Sequence, residues 1–190
     1  MCQLRAFAKT VKNERRLPIW LSWLTLIVVL GQPIERWSCI YVNCQALCCR
    51  FSRELTPRDI KEIMEKTGRK PEDFVEFSSG PMPFKLKLVN GKCIFLNEDF
   101  SCSLHTLNAK PLLCKIYPFM LDKVYYGEEP IVQLAPVKEC PGYEVGEKLG
   151  EEFFSELSKT IADYLAELRK VASLRKAGLS PREILEKLLG

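Results

Sequence analysis

The sequence predicts a small α+β protein, an irregular cysteine-rich domain with short β-hairpins and a long C-terminal helix. Three observations carry that prediction. Cys39, Cys44, Cys48 and Cys49 crowd into one short stretch, Asn90-Gly91 divides two alternating runs, and apolar residues recur at helical steps from Leu149 onward.

With 190 residues, 47% of them hydrophobic, the chain is long enough to bury a core without disulfides. Disulfide frameworks belong mainly to smaller secreted domains, whereas clustered cysteines in a larger chain more often hold metal. The formal charge of +4 resides in residues 1–36; the remainder balances 22 basic against 22 acidic residues. No basic stripe marks a nucleic-acid binder, so no nucleic-acid partner is expected.

In order, residues 1–36 read as a basic extension with an apolar segment, Leu17 to Leu30. Three readings compete for it: a signal peptide, a membrane anchor, or a start placed too early. The expected localisation is cytoplasmic, with membrane association through Leu17–Leu30. Residues 37–146 form the eight-cysteine region and residues 147–190 the helices packed on it.

Thr56-Pro57-Arg58-Asp59 has the residues of a helix start and Gly68 those of an end, with Ile60, Ile63 and Met64 on one face. Asn90-Gly91 suits a two-residue type I′ turn, which sets Leu88 opposite Cys93 and Leu86 opposite Phe95 and turns Cys93 inward. A second hairpin is expected from Val124–Tyr126 and Ile131–Ala135 around Gly127-Glu128-Glu129-Pro130. Leu149, Phe153, Leu157, Ile161, Leu165, Leu168 and Ala172 give a helix over 147–176. Ser180-Pro181-Arg182-Glu183 starts the last one with a capping-box pattern.

Cys39, Cys44, Cys48, Cys49, Cys93, Cys102, Cys114 and Cys140 are the candidate metal ligands, with Cys2 left over. Thiolate sites for zinc or iron need several sulfurs to converge, and near neighbours such as Cys44 and Cys48 keep loop closure short. Adjacent Cys48 and Cys49 serve two neighbouring sites, or one site if the backbone turns between them. Arg50, Lys92, Lys115 and Lys138 lie beside cysteines in sequence and would favour thiolates, or else form a solvated surface.

This ordered set resembles the eight-cysteine CxxCxxCC family, the zinc- or iron-chelating proteins of YkgJ type. The resemblance rests on Cys39-x4-Cys44-x3-Cys48-Cys49, Cys93-Ile-Phe-Leu, Cys102-x-Leu, Lys110-Pro-Leu-Leu-Cys114-Lys-Ile-Tyr-Pro-Phe and Cys140-Pro-Gly. The first cluster is spaced more widely than the family's, and Lys115 stands where Arg is common. The resemblance implies a cysteine-bound metal centre, zinc or an iron-sulfur cluster. Relatives with similar motifs include flagellin lysine methylases, but the chain has no GxGxxG loop for a nucleotide-type cofactor.

His105 is the only histidine and a candidate additional ligand three residues after Cys102. Tyr117 and Phe119 are read with Arg50 and Lys115 as the shell of the site, shielding the sulfurs. No catalytic residue is specified. The leading expectation is an iron-sulfur protein in electron transfer or redox sensing, with a redox or protein partner; an oxidoreductase is the enzyme class this would admit. The alternatives are a structural zinc module for protein interaction and an exported disulfide-bonded protein.

Overall fold

The computed structural model describes residues 19–22, 25–29, 34–125 and 131–190. Strands β1 (Ile19–Ser22) and β2 (Thr25–Val29) pair antiparallel, and β2 runs parallel to β9 (Ile131–Pro136), which pairs antiparallel with β8 (Phe119–Tyr125). The four-stranded order is β1-β2-β9-β8. The β8–β9 pair is the expected second hairpin; its turn, Gly127-Glu128-Glu129-Pro130, lies outside the described residues, as do residues 1–18 and 30–33.

The sheet corrects the membrane expectation for Leu17–Leu30. Among the described residues no helix is long and apolar enough to cross a membrane. The β-branched residues Ile19, Thr25, Ile27, Val28 and Val29 fall instead in two short strands whose backbone bonds are made to neighbours in the sheet. An apolar run this short does not distinguish strand from helix by periodicity, and β9, far away in sequence, decides it.

Three two-stranded ribbons hold the loops. β3 (Arg36–Trp37) pairs with β10 (Tyr143–Lys148), β4 (Val75–Phe77) with β5 (Phe84–Leu86), and β6 (Leu88–Val89) with β7 (Lys92–Cys93). Asn90 and Gly91 both take positive φ, 51° and 71°, as a type I′ turn requires. Leu88 faces Cys93 as expected, and Cys93 is buried. Leu86, however, pairs with Val75 rather than Phe95. The β4 strand takes up the ladder, and Phe95 tilts against Phe74 with ring centroids 5.7 Å apart.

The helices follow their caps. In the helix Pro57–Thr67, Thr56 Oγ1 accepts from the Asp59 amide at 3.1 Å, and Gly68 ends it at φ 68°. The helix Glu151–Lys176 presents Leu157, Ile161, Tyr164, Leu165, Leu168 and Val171 to the interior; it starts four residues later than the sequence implies, because Tyr143–Lys148 continues as strand. Ser180 and Glu183 cap the last helix, Pro181–Leu189, in the expected box.

One hydrophobic cluster extends from Ile34 to Leu185. Phe74, Phe84, Ile60 and Ile63 are fully enclosed at its centre. Burial of each such side chain is worth about 1.5–3 kcal/mol.

Candidate metal centre

The first cysteine stretch winds through two single turns. Tyr41–Cys44 is one turn of α-helix, Leu47–Arg50 one turn of 3-10 helix, and Gln45 and Ala46 between them both adopt φ 50°. These left-handed residues reverse the chain sharply. The backbone therefore does turn at Cys48-Cys49, and the Cys49 thiol donates to the Cys48 sulfur.

The turn packs on the strand carrying Cys93. Leu96 pairs with Cys102 across a short bridge, and Ser103 donates through both N–H (3.0 Å) and Oγ (2.8 Å) to the Phe95 carbonyl. Cys93 and Cys102 are thereby held near one another. Cys114 rides on the helical turn Leu112–Lys115, whose last N–H groups return to the Pro111 carbonyl.

The Cys140-Pro141-Gly142 segment closes against the start of the first stretch. Ser38 N–H donates to the Gly142 carbonyl at 3.2 Å, and a Cβ on Gly142 would lie 2.0 Å from the Ser38 carbonyl oxygen. Only glycine fits that approach. Tyr117 packs edge-on against Trp37, with centroids 5.9 Å apart, and its hydroxyl lies beside Cys140. Trp37 Nε1 is enclosed there without an acceptor among the described residues.

Electrostatics link the sulfurs. The hydrogen bond from Cys49, helped by Lys110 and Arg53, outweighs burial and brings the Cys48 thiol down to about 6. Cys49 is driven up, first by that same bond, then by burial and by Cys48, Cys93 and Cys102. Burial, together with Cys102 and Cys48, pushes Cys93 up to about 11. Cys114 is partly buried, and burial pushes its thiol up to about 12 against Arg53 and Lys110. Cys39 is raised by partial burial and by Cys48. Burial, and after it the neighbouring Cys140 sulfur, raise Tyr117.

Cys48, Cys49, Cys93, Cys102 and Cys114 thus share one neighbourhood, with the exposed Cys39 and the partly buried Cys44 at its edge and Cys140 beside Tyr117. All eight cysteines among the described residues are free thiols. No group of three or more Cys, His, Asp or Glu among the described residues is arranged so as to hold a metal directly.

The other candidates divide. Arg50 turns away and donates to Gln45 Oε1 at 3.3 Å, and the charge of Lys115 acts on Asp59. His105 lies exposed on the turn Ser103–Thr106, whose Leu104 is buried. Phe119 is a core residue, its ring 6.3 Å from that of Phe153. The cations that reach the sulfurs are Arg53 and Lys110, which sequence adjacency to cysteines did not single out. Their only sequence signal is weak: Lys110 opens the Lys-Pro-Leu-Leu-Cys run, and Arg53 follows the double cysteine by four positions.

Fold and thiols together define an α+β protein that brings free cysteines from several loops and short turns against a packed core. The chain belongs to the CxxCxxCC family, whose model, described as "Putative zinc- or iron-chelating domain", matches residues 38–141. That span contains all eight clustered cysteines. No curated protein and no solved structure matches the chain.

Proposed function

We propose that the clustered cysteines hold iron as an iron-sulfur cluster and that the protein transfers or senses electrons. The observation that carries this reading is the shared neighbourhood of free thiols from four separate segments, with Arg53 and Lys110 beside it. The donor chemistry fits: soft sulfur ligands suit iron and zinc, one thiol is already biased toward thiolate, and two cations offset the negative charge.

When bound, an iron-sulfur cluster supplies one-electron redox chemistry. Cys48, Cys49, Cys93, Cys102 and Cys114 are the inner ligand candidates, and Cys39, Cys44 and Cys140 the outer ones. The Tyr117 hydroxyl lies beside the Cys140 sulfur, among the groups that would surround a cluster held there. Trp37 against Tyr117 limits water access from that side. Hydrogen bonds to ligand sulfurs and exclusion of solvent are the means by which a protein sets a cluster's potential.

A second reading is a structural zinc site. It is favoured by single helical turns with no buried residue in Tyr41–Cys44 or Leu47–Arg50, a loop that a bound metal would hold. Metal and acid-labile sulfide analysis, with a visible spectrum, on protein purified without oxygen separates the two. Brown protein containing iron and sulfide supports the cluster; colourless protein with stoichiometric zinc replaces it with the structural site.

A further inference from the structure

The helical turn that carries Cys114 has no cap of its own, since Pro111 at its start offers no side-chain acceptor. The first N–H groups of any helix lack partners within it. Here the Leu112 N–H donates at 3.0 Å to Oδ1 of Asp59, 53 positions away in sequence. The other oxygen of the same carboxylate, Oδ2, accepts from Thr56 N–H and Thr56 Oγ1, each at 2.8 Å. Asp59 is only 3% exposed.

A capping box for the helix Pro57–Thr67 needs Oδ2 alone. The bond from Leu112 adds nothing to that helix; it anchors a different segment. Just before Thr56, the Leu86 N–H donates to the Arg53 carbonyl at 2.7 Å and the Leu55 N–H to the Phe84 carbonyl at 2.9 Å. These bonds join the continuation of the Cys48-Cys49 turn to the strand that leads toward Cys93. Asp59 stands at the junction of this unit with the Cys114 turn.

We propose that Asp59 is a positioning residue for the thiolate site: its carboxylate caps two helical turns at once and so fixes the Cys114 backbone relative to the Cys48-Cys49 and Cys93 segments. The proposal rests on the reading of Cys114 as a ligand. Asp59 touches no sulfur and acts through Leu112.

The test uses the full chain purified with its metal. Asp59→Asn keeps the size of the side chain but cannot accept on both sides. Thr67→Ala, which removes the 2.6 Å bond from Thr67 Oγ1 to the Ile63 carbonyl at the other end of the same helix, controls for general loosening. Metal release to a chelator should be about tenfold or more faster in Asp59→Asn than in Thr67→Ala, as for loss of outer-shell support to a ligand. Alkylation of Cys114 should rise relative to Cys140, and the Leu112 amide of the unaltered chain should resist hydrogen exchange. A folded Asp59→Asn with release and alkylation equal to the control overturns the proposal. Exchange of the unaltered Leu112 amide at the rate of an exposed amide overturns it as well, whether or not the variant folds. An unaltered chain that binds no metal sinks the metal reading instead, while Leu112 exchange and Cys114 alkylation still decide the role of Asp59.

Discussion

The helix Pro57–Thr67 and the loop Cys39–Arg50 are joined by only a few residues, yet they are held by different means. The helix has a reciprocal cap, a glycine stop and the buried residues Ile60 and Ile63. The loop has two single turns without a side-chain cap, left-handed Gln45 and Ala46, and Val42 59% exposed. The first is specified by burial and backbone bonds. The second is specified by tight backbone reversals with little burial beneath them and, on the proposed reading, by what its sulfurs bind.

The largest test of that contrast is Phe84→Ala, at the centre of the core. It should cost about 3–5 kcal/mol, read from urea unfolding. Cys48→Ser should reduce bound metal per chain yet leave the urea midpoint of the chelated chain where it was; a shift as large as that of Phe84→Ala would erase the distinction.

Next in size is Gly142→Ala. Its methyl would collide with the Ser38 carbonyl, a misfit expected to cost about 1–3 kcal/mol. Alkylation of Cys39 and Cys140 should accelerate together. Unchanged alkylation would mean that the two segments do not depend on this approach.

Thr56→Ala should cost about 1 kcal/mol through loss of the cap, measured by thermal or urea unfolding. The smallest effect is expected at the far end of the chain. Hydrogen bonds from Ser180 hold the Glu183 carboxyl below the usual range, so the cap's contribution is complete above the unfolded-state value, about 4.3, and lost as pH falls through the lower folded value. Hydrogen exchange should show the helix Pro181–Leu189 fraying as pH falls through that interval; an unchanged exchange rate there would mean that the Glu183 carboxylate does not hold the cap.

Those caps were legible in the sequence because their chemistry is local: Thr56 to Asp59 and Ser180 to Glu183 each act across one turn. The pairing of Leu88 with Cys93 was legible for the same reason, being set by two residues between them. Leu86 was misassigned because β4, a non-local partner, competes for it. Arg50 and Lys115 adjoin cysteines in sequence, but helical geometry turns them elsewhere, while Arg53 and Lys110 arrive from positions that adjacency does not mark. The reach of Asp59 to Leu112 spans separate segments and leaves no local pattern.

The parallel pairing of β2 with β9 bears on how the protein is best produced. Shortening the chain to begin at Trp37 would remove two of the four strands and strip β9 of the neighbour that satisfies one edge. An uncovered strand edge recruits other chains. A trimmed preparation that precipitates would therefore report the loss of a sheet partner, and its colour or metal content would be no guide to the intact protein.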